Sequence, residues 1–404
     1  MDGVDAMIRI LLSLVATLAA FTMPVQAAEP APETEAKAVL GANVKGDNWT
    51  VAPTVRSDGF VRLFAVESPY GDFQVNGQRR MDERLQELRA IQALEKMSKG
   101  KVFVEAVAQA GLAPIRFGRD LILDPVETTG NLISGIGNMF DRAVTEVEHS
   151  GSSRDSFVES VVGIKKAMRG LAYELKVDPY TDFTPLRNSL EDVARVMAAG
   201  DISVSAAISV IPGGAGIAVS ATSSASNLAA PIRDKSSAEI AALVTAKLKG
   251  LGVSETVIDN FIENTSYSPG DQYAIAEALE NLKAENTSAY VVRAAQADSA
   301  DLAKFNRYRA ELLVKYSARL GVLKEFYVVN EFALNRDAGG GLVAAFPFDG
   351  LAWTDPVARS LTAISTEIAT RGETKKPVFA TTGKVSPMAA AELAKLGWKL
   401  EKLD

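Results

Sequence analysis

The sequence predicts a predominantly helical protein of the α+β class, with a small N-terminal β-hairpin, a helical body and a C-terminal α/β unit. Two observations lead to this prediction. Apolar residues recur at helical spacing over much of residues 81–284, and strand-like segments alternate with helical ones after residue 286. With 404 residues, the chain is long enough for roughly two or three domains.

The N-terminal hairpin is predicted from runs of β-branched and aromatic residues within residues 49–76. A Pro-Tyr-Gly-Asp sequence at residues 69–72 supplies the turn between them. Residues 28–48 are rich in proline, glutamate and glycine, a composition typical of a flexible leader. We therefore expect a flexible leader, followed by a small β-hairpin, alone or with one extra strand.

Start and stop residues mark the helices of the body, residues 49–285. Gly100 follows one amphipathic helix, and Pro185 and Gly200 stand at the beginning and after the end of another. The Ser-Pro-Gly-Asp sequence at residues 268–271 has the spacing of a capping box and predicts a helix over residues 272–284.

The C-terminal unit, residues 286–404, is expected to open with a long helix over residues 300–320. Three glycines at residues 339–341 predict a turn between the first two strands. We expect strands at residues 323–334, 342–348, 377–381 and 398–403, and helices at residues 356–370 and 388–396.

Residues 1–27 are expected to form a cleavable signal peptide. Arg9 precedes a charge-free apolar run, and Val25 and Ala27 are the small residues that a signal peptidase requires at positions −3 and −1. The mature protein is therefore expected to be periplasmic or secreted, after cleavage near Ala27. The chain has no cysteine, which excludes a lipidated N-terminal cysteine and disulfide bonds.

The composition argues against several functional classes. A Ser-His-Asp triad would have to use His149, because it is the single histidine of the chain, and a histidine-rich metal site is excluded. A net charge of −7 argues against a nucleic-acid partner. We therefore predict no catalytic residue, no cofactor and no nucleic-acid binding.

An acidic sequence, Val-Asp-Pro-Tyr-Thr-Asp at residues 177–182, is the candidate metal site. Asp178 and Asp182, with Glu191 and Asp192 further along, would offer the oxygen ligands that Ca²⁺ prefers. The alternative is structural: Asp178 and Thr184 would be helix caps, and Tyr180 would pack across the junction between two helices.

Three short sequences resemble those of an uncharacterised family of exported bacterial proteins. They are Tyr-Glu-Leu-Lys-Val-Asp-Pro-Tyr-Thr at residues 173–181, Ser-Pro-Tyr-Gly-Asp-Phe at residues 68–73 and Asp-Pro-Val-Glu-Thr at residues 124–128. The resemblance covers most of the mature chain. It implies a bacterial protein on the envelope side of the membrane, and it implies no activity or ligand.

Residues 202–230 are almost free of charge and consist largely of small apolar and hydroxyl residues. Apolar and hydroxyl residues alternate on each side of a Pro-Gly-Gly turn, as in the arms of a transmembrane β-hairpin. The candidate membrane-contact residues are Ile202, Val204, Ile208, Val210, Ile217 and Val219. A buried hairpin, or small-residue helices packed on their neighbours, would have the same composition, and the high alanine content favours the helices.

The leading functional hypothesis is an exported envelope protein that is not an enzyme and that contacts an unidentified protein or a membrane surface. One alternative is an exported hydrolase that works with carboxylates alone, using Asp178 and Asp182, with Glu191 as an alternate. The other alternative is a pore-forming protein that inserts residues 202–230.

Overall fold

The computed structural model describes residues 28–115, 117, 162–211 and 231–403. It confirms a mixed helix-and-strand fold of the α+β kind, with one sheet near the N-terminus and a second sheet near the C-terminus. The predicted signal peptide, His149, Ile217 and Val219 lie outside the described residues.

The N-terminal sheet is larger than the predicted hairpin. It has six strands in the order β1-β4-β5-β3-β2, with β6 paired to β5, and its pairs are antiparallel. The strands are β1 (Glu33–Glu35), β2 (Lys45–Gly46), β3 (Trp49–Val51), β4 (Thr54–Ser57), β5 (Arg62–Glu67) and β6 (Phe73–Asn76).

The prediction of a flexible leader over residues 28–48 is wrong. β1 pairs with β4, and a short helix, α1 (Ala36–Leu40), buries Ala36 and Leu40 in the core. Further upstream, Glu29 donates its backbone N–H to the carbonyl of Trp353 at 2.9 Å. The composition did not reveal this because all three side chains of β1 are exposed, so the strand is held by backbone hydrogen bonds and not by apolar burial.

The helices of the body pack against the N-terminal sheet and confirm the predicted start and stop residues. The helix before Gly100 ends two residues earlier, and Pro185 is the second residue of a helix that Gly200 follows. These helices are α2 (Gln78–Ser98), α3 (Lys101–Gln109), α4 (Val162–Glu174), α5 (Thr184–Ala199) and α6 (Val204–Ser209).

The described part of residues 202–230, residues 202–211, contains a short helix and no β-arm. Val204 begins α6 and packs against α4, where a Cβ on Gly170 would lie 2.8 Å from the Val204 side chain. Val204 is half-buried, and so are Ile202, Ile208 and Val210. The alternation of apolar and hydroxyl residues therefore does not produce a strand over residues 202–211, because Ser203 caps a helix instead. In the described ranges no helix is both long and apolar enough to cross a membrane.

The second half of the chain begins with helices and ends with the second sheet. The Ser-Pro-Gly-Asp sequence forms the predicted capping box, in which Ser268 and Asp271 cap each other's backbone. The helices are α7 (Ser237–Gly250), α8 (Glu255–Glu263), α9 (Pro269–Leu282), α10 (Thr287–Ala294), α11 (Ala300–Arg319), α12 (Asp355–Thr370) and α13 (Pro387–Lys395).

The C-terminal sheet has five strands in the order β13-β11-β9-β8-β7. β9, β11 and β13 are parallel and are joined by α12 and α13, while β7 and β8 form an antiparallel hairpin. The predicted single strand over residues 323–334 is wrong, because Asn330 adopts a φ of 51° and turns the chain there. The strands are β7 (Leu323–Val329), β8 (Phe332–Asp337), β9 (Leu342–Phe346), β11 (Val378–Thr381) and β13 (Lys399–Lys402).

Two further short strands, β10 (Gly350–Leu351) and β12 (Lys384–Val385), form a separate parallel pair. The buried apolar residues fall into two clusters. One contains most of the N-terminal sheet with α2 to α6, and the other contains α7 to α13 with the C-terminal sheet. The proposed domain boundary at residue 285 stays a prediction. α2 lies where the two clusters meet, and this position matters for the site described next.

Candidate functional site

A row of four charged residues lies on one face of α2 and is buried. Arg80, Glu83, Arg84 and Glu87 follow the i, i+3, i+4, i+7 spacing of a helix face, and none is more than 9% exposed. The opposite apolar face packs on the N-terminal sheet, so α2 is buried on both sides. Charged side chains are rarely buried unless they are paired, so this row must meet opposite charges.

At the centre of the charged cluster, Lys304 and Arg307 of α11 face Glu83 and Asp271. The Lys304 ammonium lies 2.9 Å from Oδ1 of Asp271 and 3.6 Å from Oε2 of Glu83, and Arg307 donates to the same Asp271 oxygen at 2.9 Å. Burial alone would raise the pKa of Glu83, but Lys304, Arg307 and Arg80 together lower it to about 2. Glu83 is therefore ionised at neutral pH.

The last two residues of the Val-Asp-Pro-Tyr-Thr-Asp loop also contact α2. Asp182 accepts hydrogen bonds from Arg80 and Arg84, and the Thr181 hydroxyl donates to Glu87. Despite burial, the two guanidinium groups hold the pKa of Asp182 well below its usual range. Hydrogen bonds to charged groups therefore hold this loop against α2.

The carboxylate of Asp178 contacts the start of α9 and shares no hydrogen-bond partner with Asp182. Its carboxylate accepts from the Ser268 hydroxyl at 2.6 Å and from the backbone N–H of Tyr180 at 2.8 Å. Asp271 lies 3.0 Å from the same hydroxyl, which has one proton and can donate to one carboxylate at a time. Burial raises the pKa of Asp178, and the negative charge of Asp271 adds to this effect.

The candidate metal site is therefore not assembled as the sequence suggested. Asp178 binds Ser268, Asp182 binds two arginines, and Glu191 pairs with Arg195 on the surface of α5. Among the described residues, no three of the side chains histidine, cysteine, aspartate and glutamate are grouped in a way that could hold a metal ion. The structural alternative is right about Tyr180, which packs against the apolar cluster that contains α7 to α13. It is wrong about the caps, because the N-cap residues of α5 and α9 are Phe183 and Ser268.

A cleft of about 580 Å³ opens above the charged cluster, between residues 180–187, which comprise a loop and the first turn of α5, and the start of α9. Asp182, Asp271 and Lys304 form its charged floor, and Arg187 stands at its edge. Hydroxyl and amide side chains supply much of the remaining wall: Thr181, Ser237, Thr265, Ser266, Tyr267, Ser268 and Gln272. The cleft has the size of a typical ligand site, and apolar residues, among them Ala238, Ala241 and Ile262, line it beside these polar groups.

No protein-family model, curated protein or solved structure matches the chain. The site is therefore interpreted from its own geometry, and the resemblance to an exported bacterial family stays a prediction. The sequence pointed to the loop at residues 177–182 but not to its partners on α2 and α11. The alternating Arg-Glu-Arg-Glu row on α2 was the available signal, because alternating charges at this spacing fit either a solvated face or a buried charged interface.

Proposed function

We propose that the protein is an exported envelope protein, periplasmic or secreted, that binds a polar segment of a partner protein in the cleft above the charged cluster. The observation that carries the proposal is the cleft itself. Its floor has charges that are already neutralised by internal partners, and the exposed hydroxyls of Ser237 and Thr265 stand in its wall, in a volume of about 580 Å³. Such groups suit hydrogen bonds to the backbone and polar side chains of a partner.

A protein partner is favoured over a lipid surface for two reasons. The described membrane-contact candidates, Ile202, Val204, Ile208 and Val210, are half-buried against the body of the protein. The cleft, in contrast, is open and combines exposed hydroxyl groups with apolar side chains. A carboxylate hydrolase has less support, because Asp178 and Asp182 line different cavities and Glu191 is held by Arg195 at the surface.

Binding in the cleft can be tested by site-specific photo-crosslinking in intact cells. A photoreactive residue at Thr265, which is exposed in the cleft wall, should cross-link to one discrete protein. Ala238→Trp should fill the cleft and abolish the cross-link. Ala242→Trp is the matched control, because Ala242 is exposed on the same helix but does not line the cleft. Equal cross-linking in both tryptophan variants, or none from Thr265, would refute the proposal.

Export is tested separately by fractionation of bacteria that express the full chain. The product outside the cytoplasm should begin near Ala28, and Leu14→Arg, which places a charge in the apolar run, should retain the uncleaved chain in the cytoplasm. An uncleaved product outside the cytoplasm, or export of the Leu14→Arg variant, would show that residues 1–27 are not a signal peptide.

A further inference from the structure

We propose that a second cavity, on the far wall of the loop at residues 177–180, binds an oxyanion group of a small ligand. The cavity has a volume of about 60 Å³ and shares Tyr180 with the cleft. Three arginines, Arg169, Arg233 and Arg307, line it. This site is independent of the proposed binding of a protein partner in the cleft.

Arg307 is the buried donor of this cavity. It is 4% exposed, and two of its nitrogens are occupied, since Nη1 donates to Asp271 at 2.9 Å and Nε donates to Glu311 at 3.0 Å. Its third nitrogen, Nη2, is buried and has no hydrogen-bond partner. A buried guanidinium nitrogen rarely stays unpaired, so Nη2 is available for an acceptor that enters the cavity.

Arg169 of α4 provides a second unpaired donor. Its side chain hydrogen-bonds to the Tyr180 hydroxyl, while its Nε is buried and has no partner. Arg233 lies over the Tyr173 ring at 3.9 Å and pairs with Glu174 at 3.2 Å, which fixes its guanidinium at the cavity wall. Two open donors and a third positive charge therefore surround one small space.

Asp178 is the one carboxylate in the cavity lining, and it does not cancel the arginines. Its two oxygens already accept hydrogen bonds from Ser268 and from the backbone of Tyr180, and burial raises the pKa of Asp178. Three arginines against one carboxylate in the described lining favour an anion over a cation.

The dimensions of the cavity restrict the ligand further. A water molecule needs about 10–15 Å³ of such volume, so the cavity accepts a group of a few heavy atoms, the size of a carboxylate or phosphate. Guanidinium groups bind both through paired N–H donors. Val177, Pro179 and Ile232 complete the wall, so the group that carries the oxyanion would meet apolar side chains.

Calorimetric titration at constant ionic strength tests the site, with acetate, benzoate and phosphate as probes and benzamide as the neutral match for benzoate. We expect at least one anion to bind and benzamide not to bind. Arg169→Met should weaken binding by about tenfold or more, which corresponds to the loss of one charged hydrogen bond. Arg307→Lys, which retains the charge that Asp271 requires but removes Nη2, should weaken it as well.

Arg187→Met is the matched control, because Arg187 lines the cleft and not the cavity. It should leave anion binding unchanged. Tighter binding of acetate or benzoate would show that the oxyanion group of the ligand is a carboxylate, and tighter binding of phosphate would show that it is a phosphate. The inference is overturned if no anion binds, if benzamide binds as well as benzoate, or if Arg169→Met binds like the wild type. None of these outcomes depends on cross-linking in the cleft.

Discussion

The carboxylate of Asp349 accepts a hydrogen bond of 2.8 Å from the backbone N–H of Gln78, the first residue of α2. The same oxygen accepts from the N–H of Arg62 in β5, also at 2.8 Å. The N-cap residue of α2 is Gly77, which has no side chain to cap the helix. Asp349 therefore supplies, from the C-terminal half of the chain, the acceptor that an N-cap side chain normally supplies.

We predict that this distant cap makes stability dependent on pH. Burial raises the pKa of Asp349 from 3.8 to about 6, and the two N–H donors only partly oppose this. The stability that protonated Asp349 contributes is fully present below the unfolded pKa of 3.8 and is lost as the pH rises through about 6. The shift corresponds to at most about 3 kcal/mol.

Asp349→Asn keeps an acceptor oxygen and removes the titration. In urea unfolding, the free energy of unfolding of the wild type should fall relative to that of the variant between about pH 4 and pH 6. Above about pH 6 the difference between the two proteins should be constant. Parallel profiles over the whole range would show that Asp349 does not titrate there.

The sequence predicted the elements better than it predicted their partners. Helices with a serine cap or a proline at the first turn, such as those opened by Ser268 and Ser386, were found because these signals are local. β1 and the turn at Asn330 were missed, because the first has no apolar side chain and the second interrupts a continuous apolar pattern. The partners of Asp182 lie 98 and 102 residues away, and local periodicity does not encode contacts at that separation.

Loss of Lys304 should destabilise the fold strongly, because Lys304 neutralises both Glu83 and Asp271 in a buried position. We expect Lys304→Met to lower the free energy of unfolding by about 3–5 kcal/mol. Lys249→Met is the control: the pair between Lys249 and Glu255 is exposed to solvent, so its loss should change the free energy of unfolding little.

A second substitution tests whether Lys304→Met loses stability because buried carboxylates are left without a counter-charge or because packing is lost. Adding Glu83→Gln to the Lys304→Met variant removes one of the two carboxylates that the lysine neutralises, so it should restore part of the stability. If Lys304→Met and Lys249→Met prove equally mild, the cluster does not depend on Lys304.

Two capping boxes in the chain allow a direct comparison. Ser236 and Ser268 each cap a helix with the same reciprocal geometry, but Ser268 is buried and also donates to Asp178. Ser236→Ala should cost about 1 kcal/mol, the usual value for a lost cap. Ser268→Ala should cost more, because it leaves the buried Asp178 carboxylate without its hydroxyl donor. Chemical denaturation of both variants measures the difference, and equal costs would show that the contact with Asp178 adds nothing.

Gly383 should be intolerant of any side chain, because it packs directly against the backbone that holds the distant cap of α2. A Cβ at this position would lie 2.3 Å from the carbonyl carbon of Asp349, and backbone cannot move aside as a flexible side chain can. Gly383→Ala should therefore lower the free energy of unfolding by about 1–3 kcal/mol, as overpacking does. Because the strain falls on Asp349, the variant should also lose part of the pH dependence that Asp349 gives the wild type.

Gly250→Ala is the matched control, since a Cβ on Gly250, the last residue of α7, would meet open space. Its free energy of unfolding should stay the same or rise by up to about 1 kcal/mol, because alanine favours the helical conformation more than glycine does. Urea unfolding of both alanine variants at two pH values, below and above the pKa of Asp349, measures both effects. If Gly383→Ala is as stable as Gly250→Ala, the close approach between Gly383 and Asp349 does not constrain the fold.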